Sequence, residues 1–170
     1  MSRSAGSVSD MPETSLRAAT AEDVEAVAGV WHRGWADGHA GHVPDGLAAH
    51  RTLEHFRALV PSRIPLTTVA ADDRGIVGFV TVHEDEVEQV YVDAAARGSG
   101  TAALLLDRGE QVVGTSYDRA WLAVVAGNAR ARRCYERRGW ADTGPFDYSA
   151  ETDEGRFTVP VLRYEKALRS

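Results

Sequence analysis

Between Val90 and Leu105 an apolar strand pattern runs into Arg97-Gly98-Ser99-Gly100 and then into the helical pattern of Thr101, Ala102, Ala103 and the following leucines. A turn of this kind gathers unpaired backbone N–H groups and the positive end of a helix dipole at one point, chemistry suited to holding a pyrophosphate. Glycine at 98 and 100 leaves no Cβ in the way of an approaching phosphate. An ordinary strand-to-helix turn would use the same residues.

Two phosphate-binding patterns compete for this turn. Gly98-Ser99-Gly100-Thr101-Ala102-Ala103 fits the dinucleotide fingerprint G-x-G-x-x-A, and Asp118 lies near the distance of a ribose-binding acid. That alternative would make the chain an NAD-dependent oxidoreductase. Its glycines should directly follow the first strand of a parallel unit, whereas here they follow an antiparallel hairpin and a four-residue spacer. A Walker A loop is excluded because no Gly-Lys-Ser or Gly-Lys-Thr occurs. Elsewhere, His39 and His42 stand three apart in a Gly-rich stretch without a third ligand, so no metal site is expected. Cys134 is expected to be a packed thiol.

The elements that must position these residues follow from periodicity. Leu16–Ala18 is a short strand, and Thr20 to Asp23 matches a capping box. Val24, Val27, Ala28, Trp31 and Trp35 then form the apolar stripe of an amphipathic helix. A second helix is expected from Leu47 to Leu59, ending before Pro61. Strands follow at Leu66–Ala70 and Ile76–Val82, joined as a hairpin through Asp72–Gly75, and a third at Glu86–Val92. Glu86 and Glu88 share one face of that strand by parity. A helix from Thr101 to Val113, a buried strand at Trp121–Val125, a helix from Asn128 to Arg138 and strand material from Trp140 to Ala167 complete the order. The sum is a mixed α/β architecture with helices packed on a mixed sheet.

The chain has 170 residues, which fits one domain at roughly 100 to 200 residues each. Residues 15–170 are expected to form that domain, and the polar, Ser-rich stretch 1–14 a disordered tail without a signal-peptide core. The formal charge of −6 argues against nucleic acid or anionic membrane as a partner, and no run approaches a membrane-spanning length. A single cysteine excludes an intrachain disulfide framework and points to a cytoplasmic location.

Two segments together carry a resemblance. Arg97, Gly100 and Ala102 occupy the places of the pyrophosphate loop of the GCN5-related N-acetyltransferases, the GNAT family. Further on, Asn128, Ala131, Tyr135, Gly139 and Trp140 resemble the family's second signature: Asn, two residues, Ala, three residues, Tyr, three residues, Gly and an aromatic. The likeness spans about residues 15 to 168. It implies the GNAT-like acyl-CoA N-acyltransferase fold, with a mostly antiparallel central sheet flanked by about four helices. It also implies transfer of an acetyl group from acetyl-CoA to an amine.

By that resemblance, Val90, Tyr91 and Val92 pair with the pantetheine arm, and the strand near Val92 offers an oxyanion N–H donor. The loop Arg97, Gly98, Ser99, Gly100, Thr101, Ala102 and Ala103 holds the pyrophosphate, while Arg97 either touches phosphate or braces the loop. Asn128 caps its helix and holds the cofactor. Among Arg130, Arg132, Arg133, Arg137 and Arg138 there is room for a partner of the 3′-phosphate, although a solvated helix face is the plainer use. Tyr135 matches the general acid, since a phenol of pKa about 10 can protonate a thiolate whose conjugate acid lies near 8 to 9. Glu86 or Glu88 would relay the amine's proton, because a glutamate some relatives carry on the next strand is Ala123 here.

The acceptor would enter near Trp31, Trp35, His39, His42 and Val43, where Gly41-His42-Val43-Pro44 resembles the loop between the first two helices of many relatives. Trp31, Trp35 and His42 are the expected acceptor contacts, with both tryptophans also serving as core. The acceptor is expected to be an amine of a small molecule or peptide; the acidic segment Phe146–Gly155, placed between the last two strands, either attracts a cationic acceptor or is a solvated hairpin loop. A non-catalytic acyl-CoA binding module on the same fold is the alternative from another class. The resemblance leaves a homodimer open.

Overall fold

The computed structural model describes residues 13–39, 41–152 and 154–168, without the Glu151 side chain. The stretch 1–12, most of the expected tail, lies outside the described residues. The strands are β1 (Ser15–Ala18), β2 (Thr67–Asp72), β3 (Gly75–His83), β4 (Glu86–Val92), β5 (Arg119–Val124), β6 (Ala141–Thr152) and β7 (Gly155–Ala167). The helices are α1 (Val24–His39), α2 (Asp45–His50), α3 (Leu53–Arg63), α4 (Thr101–Gly114) and α5 (Ala129–Arg137). One sheet runs β1-β2-β3-β4-β5-β7-β6, and every pairing in it is antiparallel except β4 with β5. This is the mixed, mostly antiparallel sheet expected, and it is not the parallel sheet that a dinucleotide fingerprint requires.

The central strand shows why the sheet carries helices on both faces. Residues Val77 to Val82 of β3 are all buried. Phe79 packs with Val27, Trp31, Phe56 and Val60 on the α1/α3 face, whereas Val80 and Val82 pack with Leu105, Leu106 and Val113 on the α4 face. Each such fully buried side chain contributes about 1.5–3 kcal/mol. A third apolar group, Leu47, Val125, Ala150, Val159 and Val161, lies where α2 meets the β6–β7 hairpin.

Three local expectations are corrected. The single helix at 47–59 is two helices, because Arg51 leaves helical geometry (φ −90°, ψ 58°) and the Thr52 hydroxyl caps α3 by accepting the His55 N–H at 3.1 Å. Pro61 lies inside α3, exposed and two residues from its end, so the helix continues through it at the loss of the one bond its N–H would give to the Arg57 carbonyl. The acidic stretch 146–155 is mostly strand: Phe146, Tyr148 and Ala150 alternate with exposed Asp147 and Ser149, so Asp147 points away from the core, and Glu154 is exposed at the hairpin turn. The capping box is present, with the Thr20 N–H donating to Asp23 at 2.8 Å and Arg17 pairing the same carboxylate at 2.7 Å. These contacts hold Asp23 down at about 2.

Candidate active site

A one-residue irregularity in β4 shapes the site. Thr81 and Val82 are adjacent on β3 yet face Gln89 and Val87, so Glu88 is an extra residue, a β-bulge. Val87, Val90 and Val92 therefore all face the α4 side, while Tyr91 packs on the α1/α3 side. Alternation about Val87 puts Glu86 and Glu88 on the α1/α3 side as well. Without the bulge they would share a face with Val90 and Val92.

The parallel neighbours β4 and β5 pair only at Glu86 and Trp121, beside a bond from the Trp121 N–H to the Asp85 carbonyl at 3.0 Å. Beyond that point the two strands splay, and a cleft of about 740 Å³ opens between them. It reaches from the glycine turn at one end to α1, α3 and the β6–β7 hairpin at the other.

At the turn end, Gly98 and Gly100 have φ of +80° and +84°, and a Cβ on either would meet open space. Glycine is needed there for the left-handed backbone, and the absence of crowding leaves room at the α4 N-terminus for an anion. Two Arg–Asp pairs clamp this loop to α1. Arg33 binds Asp93 through Nε and Nη2 at 2.9 Å each, and Arg97 Nη2 reaches Asp37 at 2.7 Å. Arg97 thus braces the loop in this structure. Thr101 is buried and shares a hydroxyl hydrogen bond of 2.8 Å with Ser99.

Helix α5 supplies the next wall. The Asn128 side chain accepts the Ala131 N–H at 3.2 Å, which is its capping role. Tyr135 is buried against Trp140 and Tyr164, with ring centroids 6.5 and 6.0 Å away. Tyr164 is itself fully buried, donates to Glu136 at 2.8 Å and accepts from Arg132 at 3.1 Å, fixing α5 on β7. Burial, with a smaller contribution from Cys134, pushes the Tyr135 phenol well above its ordinary value. Of the five arginines considered, Arg132 and Arg138 are engaged by Tyr164 and Asp107, whereas Arg130 and Arg137 line the cleft. Cys134 packs against the core.

The other end gathers side chains from separate elements. Glu88 is bonded to Arg63 of α3 at 2.6 Å. Glu86 is half-buried, with the Tyr148 hydroxyl of β6 at 3.5 Å. Burial first, and then the neighbouring Glu88, pushes the Glu86 carboxyl up to about 7. The Tyr148 phenol is raised to about 12 by burial and by the same carboxylates. Trp31 is 4% exposed, a core residue whose ring still meets the cleft beneath Arg63. Trp35 lines the cleft with Arg51 6.0 Å above its ring. His42 is exposed and does not line the cleft: a Cβ on Gly127 would lie 2.2 Å from its Nδ1, so the ring covers that glycine from outside. His39, expected in a loop, is the last residue of α1 and lines the cleft instead.

Val90, Tyr91, Val92, Arg97, Gly98, Gly100, Thr101, Ala102, Ala103, Asn128 and Tyr135 thus meet along one cleft with Glu86, Glu88, Trp31 and Trp35. Ser99 supports the turn from behind, through Thr101. Sequence reasoning passed over Arg51, Arg63 and Tyr148. Only Tyr148 carried a signal, its alternation with Phe146 and Ala150.

Among the described residues no cluster of His, Cys, Asp or Glu could hold a metal, and no helix is long and apolar enough to cross a membrane. In comparison with known proteins, the model of the Acetyltransferase (GNAT) family matches residues 31–140. YwnH of Bacillus subtilis strain 168, provisionally described as a phosphinothricin acetyltransferase, is 26% identical over 162 residues, covering 89% of this chain and 98% of the relative. A GCN5-related N-acetyltransferase structure from Rhodopseudomonas palustris superposes with a TM-score of 0.71 at 18% identity, covering 92% of this chain and 97% of that one. The Salmonella typhimurium protein yncA, solved with its cofactor acetyl-CoA, superposes with a TM-score of 0.67 at 18% identity, covering 93% and 95%. With the splayed sheet, the glycine turn and this family match over most of its length, the chain belongs to the GNAT acetyltransferases and is an acetyl-CoA-dependent acyltransferase.

Proposed function

We propose that the chain transfers the acetyl group of acetyl-CoA directly to the primary amine of a small molecule, with Glu86 taking the proton from the amine and Tyr135 giving one to the departing sulfur. The observation that carries this assignment is the different treatment of the two glutamates. Glu88 is held by Arg63, whereas among the described residues the hydrogen bond of Glu86 is a long one to Tyr148, and burial pushes its carboxyl up to about 7. An ammonium of pKa near 10 is closer to Glu86 than to an ordinary carboxylate, so Glu86 is the better base, directly or through water.

Acetyl-CoA supplies the activated thioester. The residues suited to hold it are the turn from Arg97 to Ala103, the edge Val90–Val92 and Asn128, with Arg130 and Arg137 near enough to the cleft to meet further phosphate. The raised Tyr135 phenol stays protonated at every working pH, which makes it an acid and not a base. The same burial raises the conjugate acid of a thiolate beside it, so the transfer stays near balance.

At the acceptor end Glu86 and Glu88 stand with Arg51 and Arg63, a mixture that suits a small amine also bearing an anionic group. Phosphinothricin, named for the relative, is such a molecule, and the outward-facing Asp147 removes one reason to favour a cationic acceptor. Thermal shift with acetyl-CoA, CoA and NAD, followed by thiol release with phosphinothricin, glutamate, spermidine and a peptide amino terminus, tests the proposal. Stabilisation by acetyl-CoA and thiol release with one of these amines is expected. Stabilisation without release would favour the binding module, and stabilisation by NAD alone would overturn both.

A further inference from the structure

The neighbourhood of His39 has a use that neither the transfer step nor cofactor binding needs. Its ring lies stacked on Trp35, centroids 4.7 Å apart and planes 6° from parallel. Nδ1 is 3.0 Å from the Trp35 carbonyl oxygen, one helical turn back. A carbonyl only accepts, so Nδ1 must carry the hydrogen and donate it. In a neutral ring that leaves Nε2 as a bare lone pair. Among the described residues Nε2 makes no hydrogen bond and is not sealed inside the protein, and His39 lines the cleft.

We propose that His39 is a specificity-determining residue: its Nε2 is an uncharged hydrogen-bond acceptor for an N–H or O–H group of the acceptor molecule. The role rests on the transferase activity proposed above. The surroundings keep the ring in the required state. Burial first, then the positive Arg51 of the α2–α3 junction and the neighbouring His42, bring its pKa down to about 4, against the opposing pull of the Trp35 carbonyl. Stacking on Trp35 and the Nδ1 bond together leave the ring one orientation, so Nε2 is a fixed acceptor beside a cation. An acceptor bearing both an anionic group and a hydrogen-bond donor matches that pair better than a plain alkylamine does.

The test uses the full chain in two measurements. In 15N–1H spectra of histidine-labelled protein, with His39 assigned by its loss in His39→Phe, the ring should be neutral and Nδ1-protonated at pH 6 to 7; a charged or Nε2-protonated ring overturns the proposal. In thiol-release assays with phosphinothricin, glutamate, spermidine and the peptide, His39→Phe keeps a stacking ring but no lone pair. It should raise KM for the best acceptor about tenfold, the order expected for one lost hydrogen bond to a charged donor. His39→Gln, which restores an acceptor atom, should recover most of that loss. Unchanged KM in His39→Phe, or an equal loss of acetyl-CoA affinity, overturns the His39 role alone. Wild-type protein that binds acetyl-CoA yet releases no thiol with any of the four overturns the transferase proposal and the His39 role with it.

Discussion

The two ends of the cleft are built by different means. The glycine-turn end comes from one continuous stretch, β4 through the start of α4, and offers mainly backbone: positive-φ glycines, a helix N-terminus and a strand edge. The acceptor end is assembled from α1, the α2–α3 junction, the β4 bulge and β6, and it offers side chains whose acidity depends on their neighbours. A backbone site needs only local geometry and tolerates an acidic protein around it. A side-chain site can be retuned one residue at a time, so the acceptor can change while the acyl donor stays the same.

The sharpest way to separate the two ends is at the residue between them. Tyr135→Phe should lower turnover about a hundredfold, the lower range for loss of a general acid, while leaving acetyl-CoA affinity nearly unchanged in calorimetry. Equal loss of both would move Tyr135 from chemistry to cofactor binding.

At the acceptor end, the two glutamates should behave unequally. With Glu86 as base, activity should rise with pH through about 7, where the carboxylate forms, and Glu86→Gln should remove that rise along with most of the turnover. Glu88→Gln should keep the rise, because its carboxylate serves Arg63. A matching stability effect has a definite sign. The folded protein holds the Glu86 proton up to about 7 against an unfolded value of 4.5, so stability from this group falls as pH climbs between those values. Glu86→Gln should therefore raise Tm at pH 8 and leave it unchanged at pH 4, as scanning calorimetry at the two pH values would show.

At the glycine end, Gly100→Ala should weaken acetyl-CoA binding by about tenfold, because a left-handed φ costs a non-glycine residue about 1–2 kcal/mol and the free loop sheds that strain by leaving the geometry suited to the anion. The acceptor KM measured at saturating acetyl-CoA should stay put. The smallest effect is expected from Asp37→Asn, which frees Arg97. An exposed ion pair is worth about 1 kcal/mol or less, so acetyl-CoA affinity should change by about fivefold at most. A gain in affinity would mean that the freed Arg97 serves phosphate better than it serves the loop.

What could be read along the chain follows the same division. The helices α1, α4 and α5, the strands β3 and β4, the glycine turn and the Asn128–Tyr135 spacing were all legible, because each is a local pattern of period or motif. The break between α2 and α3 was missed because an apolar stripe continues across it while Thr52 restarts the helix. His42 was favoured over His39 because the stretch after α1 resembled an acceptor loop. Whether a ring at a helix end faces the cleft or covers Gly127 depends on where the helix stops.

From sequence alone came the fold family, the glycine turn and the Asn128–Tyr135 spacing, since those depend on residues near one another along the chain. Tertiary structure alone decided which glutamate is held by Arg63 and which burial pushes up towards neutrality, which side of β4 both face, and that His39 lines the cleft where His42 does not. The reason is physical: a one-residue bulge inverts every side chain beyond it, and a pKa is set by the charges and burial that distant segments bring, neither of which has a signature in local periodicity.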